Sequence, residues 1–411
     1  MLDRVSMSRR VSSIRSPSFR RLAYLVYRST PSLFVRKIKL GKLLMGGAHS
    51  GIIDARISGN LLVPSTPVAN SPHAQFLRTY REIGDTIFES DRFVATAYCK
   101  YALRCIELYG RFFSHTDLQG VLQRAKRFVA LYKGASYSLE DRHQSLPNAP
   151  VEVSRIKYSD CYEVIDGHHR LAVATMRGLD EYPCAILPTD GVFTPMQLMV
   201  MDSIWFRGQP RIFQPIPVPE LQSWSVARKC NDRLALMIAW LRRNGISSGS
   251  FFDVGACYGW FVSEMAKLGF QASGVEQDGA LAAVGRLAYG LHSSAITVEN
   301  LGHHLRSTKR KYDAVCCLSV LQNYLLRYEK MTAEEFIQLV DQITGSVLFF
   351  DTGECHESRL KHSLAGWNVE YIQNWLKKNT SFSKIELLGT DSDRYGIFRV
   401  QFGRHLFACT R

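Results

Sequence analysis

A glycine-containing segment between residues 250 and 259 constrains the fold of this chain most. It reads SFFDVGACYG, an apolar strand that delivers Asp253 and then Gly255 and Gly259 into a tight turn, followed by the helix-like WFVSEMAKLG. Glycine is needed where a backbone turns sharply and approaches a ligand closely, because it has no Cβ. The segment therefore predicts the strand, turn and helix that open a nucleotide-binding βαβ unit.

The segments that follow predict the rest of this fold. QASGVEQD forms a second apolar strand that ends at Glu276, close to the roughly 20-residue offset at which an acid reaches ribose hydroxyls. AITVEN, YDAVCCLSVL and SVLFFDTG are further strand-like segments separated by helix lengths. This alternation predicts an α/β fold with a Rossmann-like, doubly wound sheet. The missing third glycine of GxGxxG argues against NAD as the ligand.

The stretch from about Ser250 to Arg411 resembles the class I S-adenosylmethionine-dependent methyltransferases, most of all those that assemble bacterial surface glycans. FFDVGACYGWF matches their first motif, GVEQD their ribose-binding acid and YDAVCCLSVLQNY their fourth-strand motif. The resemblance implies S-adenosylmethionine as cofactor, with Asp253 and the turn glycines around its methionine part, Glu276 on the ribose, and Glu299 or Asn300 near the adenine. The cofactor-binding residues that it implies are Asp253, Gly255, Ala256, Gly259, Glu276, Glu299, Asn300 and Ser319.

Two positions depart from this family pattern and bear on catalysis. Cys257 stands where the most glycine-rich versions of the first motif have glycine, and Gln322 stands where related sequences often carry histidine. Methyl transfer mainly requires the acceptor to be held in line, about 3 Å from the methyl carbon, and a base is needed only if the acceptor loses a proton. The candidate catalytic residues are Gln322, Asn323 and His356, with Tyr324 and Glu354 at the same strand ends. His303 and His304 lie in a loop-like segment and are predicted to be solvated.

A second motif lies at a predicted strand–helix junction in the middle of the chain. Its residues are Asp166, Gly167, His168, His169 and Arg170. Backbone N–H groups at a helix start bind anions, and an arginine in the first turn can clamp a phosphate, so the motif predicts phosphate or nucleotide binding. A strand–turn–helix corner with histidines packed for structure is the alternative. A metal site is not predicted, because adjacent histidines lack the i, i+4 spacing.

The segment VEVSRIKYSDCYEVIDGHHRLAVATMRGLDEYPCAI around this motif resembles the ParB/sulfiredoxin-like fold. Members of that fold hold nucleotide phosphates at this place, and some that carry DGHHR are small-molecule kinases. The resemblance implies a small α/β domain that binds ATP, ADP or CTP with Mg²⁺. The carboxylate base that such kinases use cannot be located in this sequence.

Charge and composition divide the chain further. Residues up to Leu44 hold eleven of the 51 basic residues but one of the 37 acidic residues, which leaves 40 basic and 36 acidic residues in the rest. The predicted boundaries are a basic, partly disordered arm (1–75), a helical subdomain with the ParB-like domain (76–208), a Pro-rich connector (209–225) and the methyltransferase domain (226–411). The arm alternatively contacts an anionic membrane surface. The nearly balanced body makes nucleic acid an unexpected partner.

The ten cysteines form no CxxC pair, no apolar stretch reaches the roughly 18 residues of a membrane span, and the start has no signal-peptide pattern. A cytoplasmic protein is therefore expected, with membrane contact at the inner surface as a further option. The leading interpretation is a two-domain enzyme that methylates a glycan or small metabolite and also binds, or uses as a kinase, a nucleotide.

Two other functions remain open from the sequence. One is a nucleic-acid methyltransferase guided by a ParB-like module, although residues 319–322 read SVLQ where such enzymes have an NPPY- or DPPY-type segment. The other is a non-catalytic regulator that binds S-adenosylmethionine or a nucleotide. If the ParB-like module phosphorylates a hydroxyl, the methyl acceptor could be that phosphate, which needs no base and would suit Gln322.

Overall fold

The computed structural model describes residues 26–27, 29–46, 66–134, 150–201, 205–206, 209–357, 360–392, 394–395, 400–401 and 403–411. The chain divides into an N-terminal unit, Met1–Leu198 with Val218–Ser223, and a C-terminal unit, Met199–Pro217 with Trp224–Arg411. The chain thus changes unit three times. The stretch 209–225, predicted as a single connector, contributes residues to both units.

The N-terminal unit contains a five-stranded mixed sheet in the order β1-β5-β3-β4-β2. Strand β3 pairs antiparallel with β4 and parallel with β5, so both pairing types occur at its centre. Apolar side chains such as Leu43, Val153, Val164 and Leu171 form its core. The strands are β1 (Val35–Lys39), β2 (Leu43–Met45), β3 (Val151–Arg155), β4 (Tyr162–Asp166) and β5 (Glu181–Ile186).

Part of the predicted basic arm (1–75) forms strands β1 and β2. Ile38 is buried in β1 while its basic neighbours are exposed, and all three residues of β2 are buried. Basic side chains are common on edge strands, where they discourage pairing with other chains, and β1 is such an edge. The remaining arm residues, 1–25, 28 and 47–65, lie outside the described residues, and the expected contact of the arm with a membrane surface falls in part on them.

Helices flank this sheet, and four of them lie between residues 72 and 133. Three of these four helices begin with a side-chain cap: Ser71, Thr96 and Asp117 accept from the backbone N–H three residues later. Aromatic side chains, among them Phe76, Tyr98 and Phe128, fill the core between these helices. The helices are α1 (Pro72–Ile83), α2 (Ser90–Ala95), α3 (Ala97–Tyr109), α4 (Leu118–Lys133), α5 (His168–Met176) and α6 (Pro195–Met201).

The C-terminal unit is built on a seven-stranded sheet in the order β11-β10-β9-β12-β13-β17-β14. The first five strands in this order are parallel, and β17 runs antiparallel to both of its neighbours. The strands of this unit, with two short additional sheets, are β6 (Trp205–Phe206), β7 (Gln209–Ile212), β8 (Ser225–Val226), β9 (Gly249–Val254), β10 (Phe270–Glu276), β11 (Ile296–Val298), β12 (Tyr312–Leu318), β13 (Thr344–Asp351), β14 (Lys384–Thr390), β15 (Arg394–Tyr395), β16 (Val400–Gln401) and β17 (His405–Thr410).

Helices cover both faces of this sheet, as a doubly wound fold requires. Phe252 and Val315 belong to the core on one face, and their chain neighbours Phe251 and Cys316 belong to the core on the other. The predicted Rossmann-like α/β fold is therefore confirmed. The helices are α7 (Asn231–Arg243), α8 (Trp260–Lys267), α9 (Gly279–Tyr289), α10 (Leu301–Ser307), α11 (Leu321–Leu325), α12 (Ala333–Ile343) and α13 (Val369–Asn379).

The strand order sets where a ligand can bind. The chain proceeds from β9 to β10 on one side and later returns to β12 on the other side of β9, so β9 lies at the topological switch point. In open α/β sheets, ligands occupy the crevice outside the carboxyl ends of the strands at that point. Within the described residues, no helix is both long and apolar enough to cross a membrane.

Candidate functional site

The turn after β9 has the left-handed backbone that its glycines predict. Gly255 and Gly259 both have φ near +78°, and Cys257 between them has φ +54°. The N–H groups of Gly255 and Ala256 donate to the carbonyl of Val275, which fixes the turn against β10. A Cβ on Gly255 would lie 2.7 Å from Val320 Cγ2. The turn therefore tolerates no larger residue at Gly255 without rearrangement.

Glu276, at the end of β10, is hydrogen-bonded to this turn through its carboxylate. Its Oε2 accepts from Cys257 N at 2.8 Å, and its Oε1 accepts from Asp278 N at 2.9 Å. The side chain is buried, and burial raises the pKa of Glu276 while the two backbone donors oppose that rise. Each carboxylate oxygen can accept more than one hydrogen bond, so the group can still receive ligand hydroxyls.

Asp253, the next-to-last residue of β9, is almost fully buried at the same strand ends. Burial raises the pKa of Asp253 to about 7, against a hydrogen bond from Cys316 that lowers it. Its Oδ2 atom has no hydrogen-bond partner among the described residues. Buried polar atoms are normally satisfied, so an orphaned carboxylate oxygen indicates a position for a ligand donor. Ala256 packs into the core with Val262 and can offer a ligand only its backbone.

Glu299 and Asn300 follow β11, as predicted, but their side chains are engaged with the next helix. Asn300 caps α10 by accepting from His303 N. The carboxylate of Glu299 binds the Nδ1 atoms of His304, at 2.8 Å, and of His303, and these bonds lower the pKa of Glu299. The prediction of a loop is wrong, because Asn300 starts a helix there. The prediction of a solvated side chain is wrong for His304, whose ring stacks on Phe252, while His303 is exposed as predicted.

Ser319 and Gln322 lie just after β12, at the centre of the crevice edge. Ser319 has a left-handed backbone (φ +61°), and its N–H donates to Asp351 Oδ1 at 2.7 Å. Gln322 Nε2 donates to the carbonyl of Ser319 at 2.5 Å, while its buried Oε1 has no partner among the described residues. Asn323 is exposed, and Tyr324 is buried against α12. Of the two predicted catalytic residues in α11, Gln322 has a buried oxygen without a hydrogen-bond partner among the described residues, whereas Asn323 is exposed.

A buried cluster of ionic side chains, which the sequence did not reveal, surrounds Asp351, the residue that binds Ser319 N. Asp351 is fully buried and binds Arg233 at 2.9 Å, with Arg404 Nη1 at 3.7 Å. Burial alone would raise the pKa of Asp351, but the arginines outweigh it and the pKa is lowered. The buried arginine cluster consists of Arg228, Arg233, Arg404, Asp351, Glu357 and Asp391.

A carboxylate between two histidines lies next to this cluster. Glu354 is buried, and its Oε2 accepts from His405 Nδ1 at 2.7 Å, with His356 Nδ1 at 3.5 Å. The other ring nitrogen of His356 lies 2.8 Å from the carbonyl of Gly403. His356, a predicted catalytic residue, thus has both ring nitrogens directed at acceptors. His405 was missed because its partner Glu354 is 51 residues away in sequence.

The DGHHR motif has the predicted strand–helix geometry in the N-terminal unit. Gly167 is left-handed (φ +103°) and precedes α5 directly. Arg170 is buried and donates to Pro150 O and Asp166 Oδ2, each at 3.1 Å. The structure thus brings Asp166, Gly167 and Arg170 together at one turn.

The two histidines of the motif point into the N-terminal unit and are both buried. His169 Nε2 lies 2.9 Å from the hydroxyl of Tyr98, and its ring packs 4.5 Å from that of Phe128. His168 Nε2 accepts from Gly46 N at 3.4 Å. Their contacts are those of core residues, so the part of the motif that remains suited to a phosphate is the helix start and Arg170.

No protein-family model and no curated protein matches this chain. Solved structures similar to it include that of the bifunctional kinase-methyltransferase WbdD. The two chains are 17% identical, with a TM-score of 0.41, and the match covers 52% of this chain and 46% of that chain. The magnesium protoporphyrin IX methyltransferase ChlM of Synechocystis PCC 6803, with bound SAH, has 17% identity and a TM-score of 0.34, over 44% and 83%. This chain thus spans less than half of WbdD. The strand order and the two buried faces, not these likenesses, make the C-terminal unit a Rossmann-like α/β domain.

Proposed function

We propose that the C-terminal unit binds S-adenosylmethionine and transfers its methyl group to a glycan or small-metabolite acceptor. The observation that carries this proposal is the position of Glu276, whose carboxylate lies under a left-handed glycine turn at the switch point of the sheet. An acid at this place can bind both hydroxyls of a ribose, and the turn lets a ligand approach the backbone.

The orphaned atoms of the crevice fit this cofactor. Glu276 would hold the ribose, and Asp253, with its unsatisfied Oδ2, would receive donors of the cationic methionine part. Glu299 and Asn300 would lie near the adenine, and Ser319 would close the pocket after β12. When bound, the cofactor supplies a methyl group on a positively charged sulfur. The chain's own task is to hold an acceptor in line with that group.

Calorimetry on the full chain tests this assignment. S-Adenosylmethionine and S-adenosylhomocysteine should bind, and NAD⁺ should not, since the turn lacks the third glycine of the dinucleotide motif. Incubation with methyl-labelled cofactor and a pool of bacterial glycans and sugar metabolites should then give labelled product. Binding without any transfer would favour a non-catalytic regulator, and label in nucleic acid would favour a nucleic-acid methyltransferase.

The pH dependence of cofactor affinity should follow the ionisation of Asp253. Its pKa of about 7 means that the carboxyl is neutral at lower pH and charged at higher pH. Because the charged form attracts a cation, affinity should rise by up to about tenfold per pH unit below pH 7 and level off above it. Calorimetry across this range measures the effect. The Asp253→Asn variant should bind more weakly and with little pH dependence; an unchanged profile would exclude contact of Asp253 with the cofactor.

The N-terminal unit carries a second proposed function, nucleotide binding of the ParB-like kind at the start of α5. The left-handed Gly167 and the buried Arg170 beside it support this proposal. ATP, ADP and CTP with Mg²⁺ are the ligands to test, and phosphorylation of the acceptor is the kinase activity that the resemblance implies. Contact of the N-terminal arm with an anionic membrane surface likewise remains a proposal.

Replacement of Arg170 should weaken nucleotide binding more than replacement of another arginine of this segment. Arg170→Ala removes a charged donor and also releases Pro150 O and Asp166, so affinity should fall at least about tenfold. Arg177→Ala, at the exposed end of α5, is the matched control and should change little. Calorimetry with each nucleotide measures both. If the wild-type protein binds none of these nucleotides, the DGHHR motif is a strand–turn–helix corner with a structural role only.

A further inference from the structure

We propose that His405 is the general base of the methyl transfer, that Glu354 positions it, and that the acceptor is therefore a hydroxyl or amine that must lose a proton. This inference rests on the proposed methyltransferase function. It differs from the sequence-based expectation, which placed the candidate base at His356 or made a base unnecessary through a phosphate acceptor.

The contacts of Glu354 fix both the position and the tautomer of His405. Glu354 Oε1 accepts from the backbone N–H of His405 at 2.7 Å, and Oε2 binds His405 Nδ1 at 2.7 Å. A carboxylate can only accept hydrogen bonds, so Nδ1 carries the hydrogen and Nε2 keeps its lone pair. The carboxylate is 1% exposed and the His405 side chain 26% exposed. In the described part of the chain, Nε2 makes no hydrogen bond and remains available as a base.

His356 cannot take this role in the same geometry. Its Nε2 donates to Gly403 O at 2.8 Å, so the lone pair of the neutral ring lies on Nδ1, which faces the carboxylate of Glu354 at 3.5 Å. Its ring centroid is 6.2 Å from that of His405. Among the described residues, the titratable side chains in contact with His405 are Glu354 and His356, while the adjacent Arg404 binds Glu357.

The sheet places His405 at the edge that binds the cofactor. Strand β17 begins at His405 and pairs antiparallel with β13, with Phe407 opposite Phe350, so its first residue lies at the carboxyl end of β13. That end faces the same crevice as the turn after β9. A Cβ on Gly353, the residue before Glu354, would lie 3.3 Å from Gln322 Cβ. The loop that carries Glu354 therefore lies beside Gln322 in α11, the helix that follows β12.

The proposed cofactor contacts would direct the methyl group towards the side of the sheet that carries Glu354 and His405. Glu276 on β10 would hold the ribose and Asp253 on β9 the methionine part, so the methyl group would face β12 and the acceptor would lie beyond it, over β13 and β17. Three strand spacings, about 14 Å, separate β9 from β17.

The proton and charge balance of the step is complete. The acceptor oxygen or nitrogen forms a bond to the methyl carbon and gives its proton to His405 Nε2, while the carbon–sulfur bond breaks and leaves a neutral thioether. One positive charge disappears from sulfur and one appears on the imidazole, where Glu354 stabilises it, as a carboxylate does for a catalytic histidine. Water later takes the proton, and no further reactant is needed.

Nuclear magnetic resonance of ¹⁵N-histidine-labelled full-length protein tests the dyad without any acceptor. His405, assigned by its loss in His405→Gln, should show the Nδ1–H tautomer with a bare Nε2. A solvent-exposed histidine, His362, should show the usual mixture. Observation of the Nε2–H tautomer at His405 would overturn the proposal whether or not the protein binds S-adenosylmethionine, so the result is independent of the proposed function.

Transfer of labelled methyl groups tests the acceptor class. The probes are methyl hexosides, which offer neutral hydroxyls, and the corresponding hexose phosphates. With methyl hexosides, His405→Gln should lose about 10²- to 10⁴-fold in rate while binding S-adenosylmethionine as wild type does, and His362→Gln should behave as wild type. Label confined to hexose phosphates, or a larger loss in His356→Gln than in His405→Gln, would contradict the assignment.

Discussion

Replacing Asp351 with alanine should lower the free energy of unfolding of the C-terminal unit by about 3–5 kcal/mol, since removal of one member of a buried ion pair leaves its partner uncompensated. Asp351 is fully buried and accepts from Arg233 at 2.9 Å and from the N–H of Ser319 at 2.7 Å. Without it, two buried arginines would share the remaining carboxylates, and the left-handed Ser319 would lose its anchor. This change should be the most damaging single carboxylate replacement in the unit.

Urea denaturation followed by tryptophan fluorescence measures this effect selectively. All six tryptophans lie in the C-terminal unit, at positions 205, 224, 240, 260, 367 and 375. Glu335→Ala, which breaks a half-exposed pair with Arg306, is the control and should cost less than about 1 kcal/mol. A loss from Asp351→Ala no larger than from Glu335→Ala would mean that water reaches the arginine cluster.

The sign of the pH dependence gives a second check on Asp351. Its pKa is lower in the folded than in the unfolded protein, so its stabilising contribution is present above the ordinary carboxyl range and is lost as the pH falls through the folded pKa. The wild-type protein should therefore lose stability on acidification more steeply than Asp351→Ala. Equal slopes for the two proteins would contradict the depressed pKa.

The turn after β9 and the position of Glu276 at the end of β10 could be predicted from the sequence because their determinants are local. The turn after β9 and the acid at the end of β10 lie within one βαβ unit, and Glu276 contacts Cys257 only 19 residues away. Continuous apolar runs also marked the strands: Cys316 and Cys317 are both buried, one towards each helical layer. Periodicity and glycine placement are sufficient for such features, since neither depends on distant parts of the chain.

The features that the sequence did not predict depend on long-range pairing. Arg233 meets Asp351 across 118 residues, and His405 meets Glu354 only because β17 returns antiparallel beside β13. Nothing near either partner marks the contact. Strand β1 was missed for another reason: its basic residues dominate the composition, while the single buried Ile38 carries the strand pattern. The DGHHR histidines were assigned to a ligand because their aromatic partners lie in separate helices.

Glu276→Ala should abolish measurable binding of S-adenosylmethionine, with a loss of affinity of at least about 100-fold. Hydrogen bonds to a charged group contribute about 1.5–3 kcal/mol each, and a ribose offers two hydroxyls to this carboxylate. The same change also frees the N–H groups of Cys257 and Asp278, so the turn would lose its support from β10. Calorimetry on the full-length variant measures the loss.

A carboxylate at the amino ends of the parallel strands offers a matched control for Glu276→Ala. The carboxylate of Asp313, at the amino end of β12, accepts from the N–H and hydroxyl of Ser250 at 2.7 and 2.8 Å, a contact of the same kind as that of Glu276. Asp313→Ala should therefore disturb the sheet to a similar degree and leave cofactor affinity unchanged, because ligands bind at the carboxyl ends of the strands. If both variants retain native tryptophan fluorescence and bind S-adenosylmethionine as wild type does, Glu276 does not hold the ribose. An equal loss in both would mean that affinity depends on the integrity of the sheet rather than on this carboxylate.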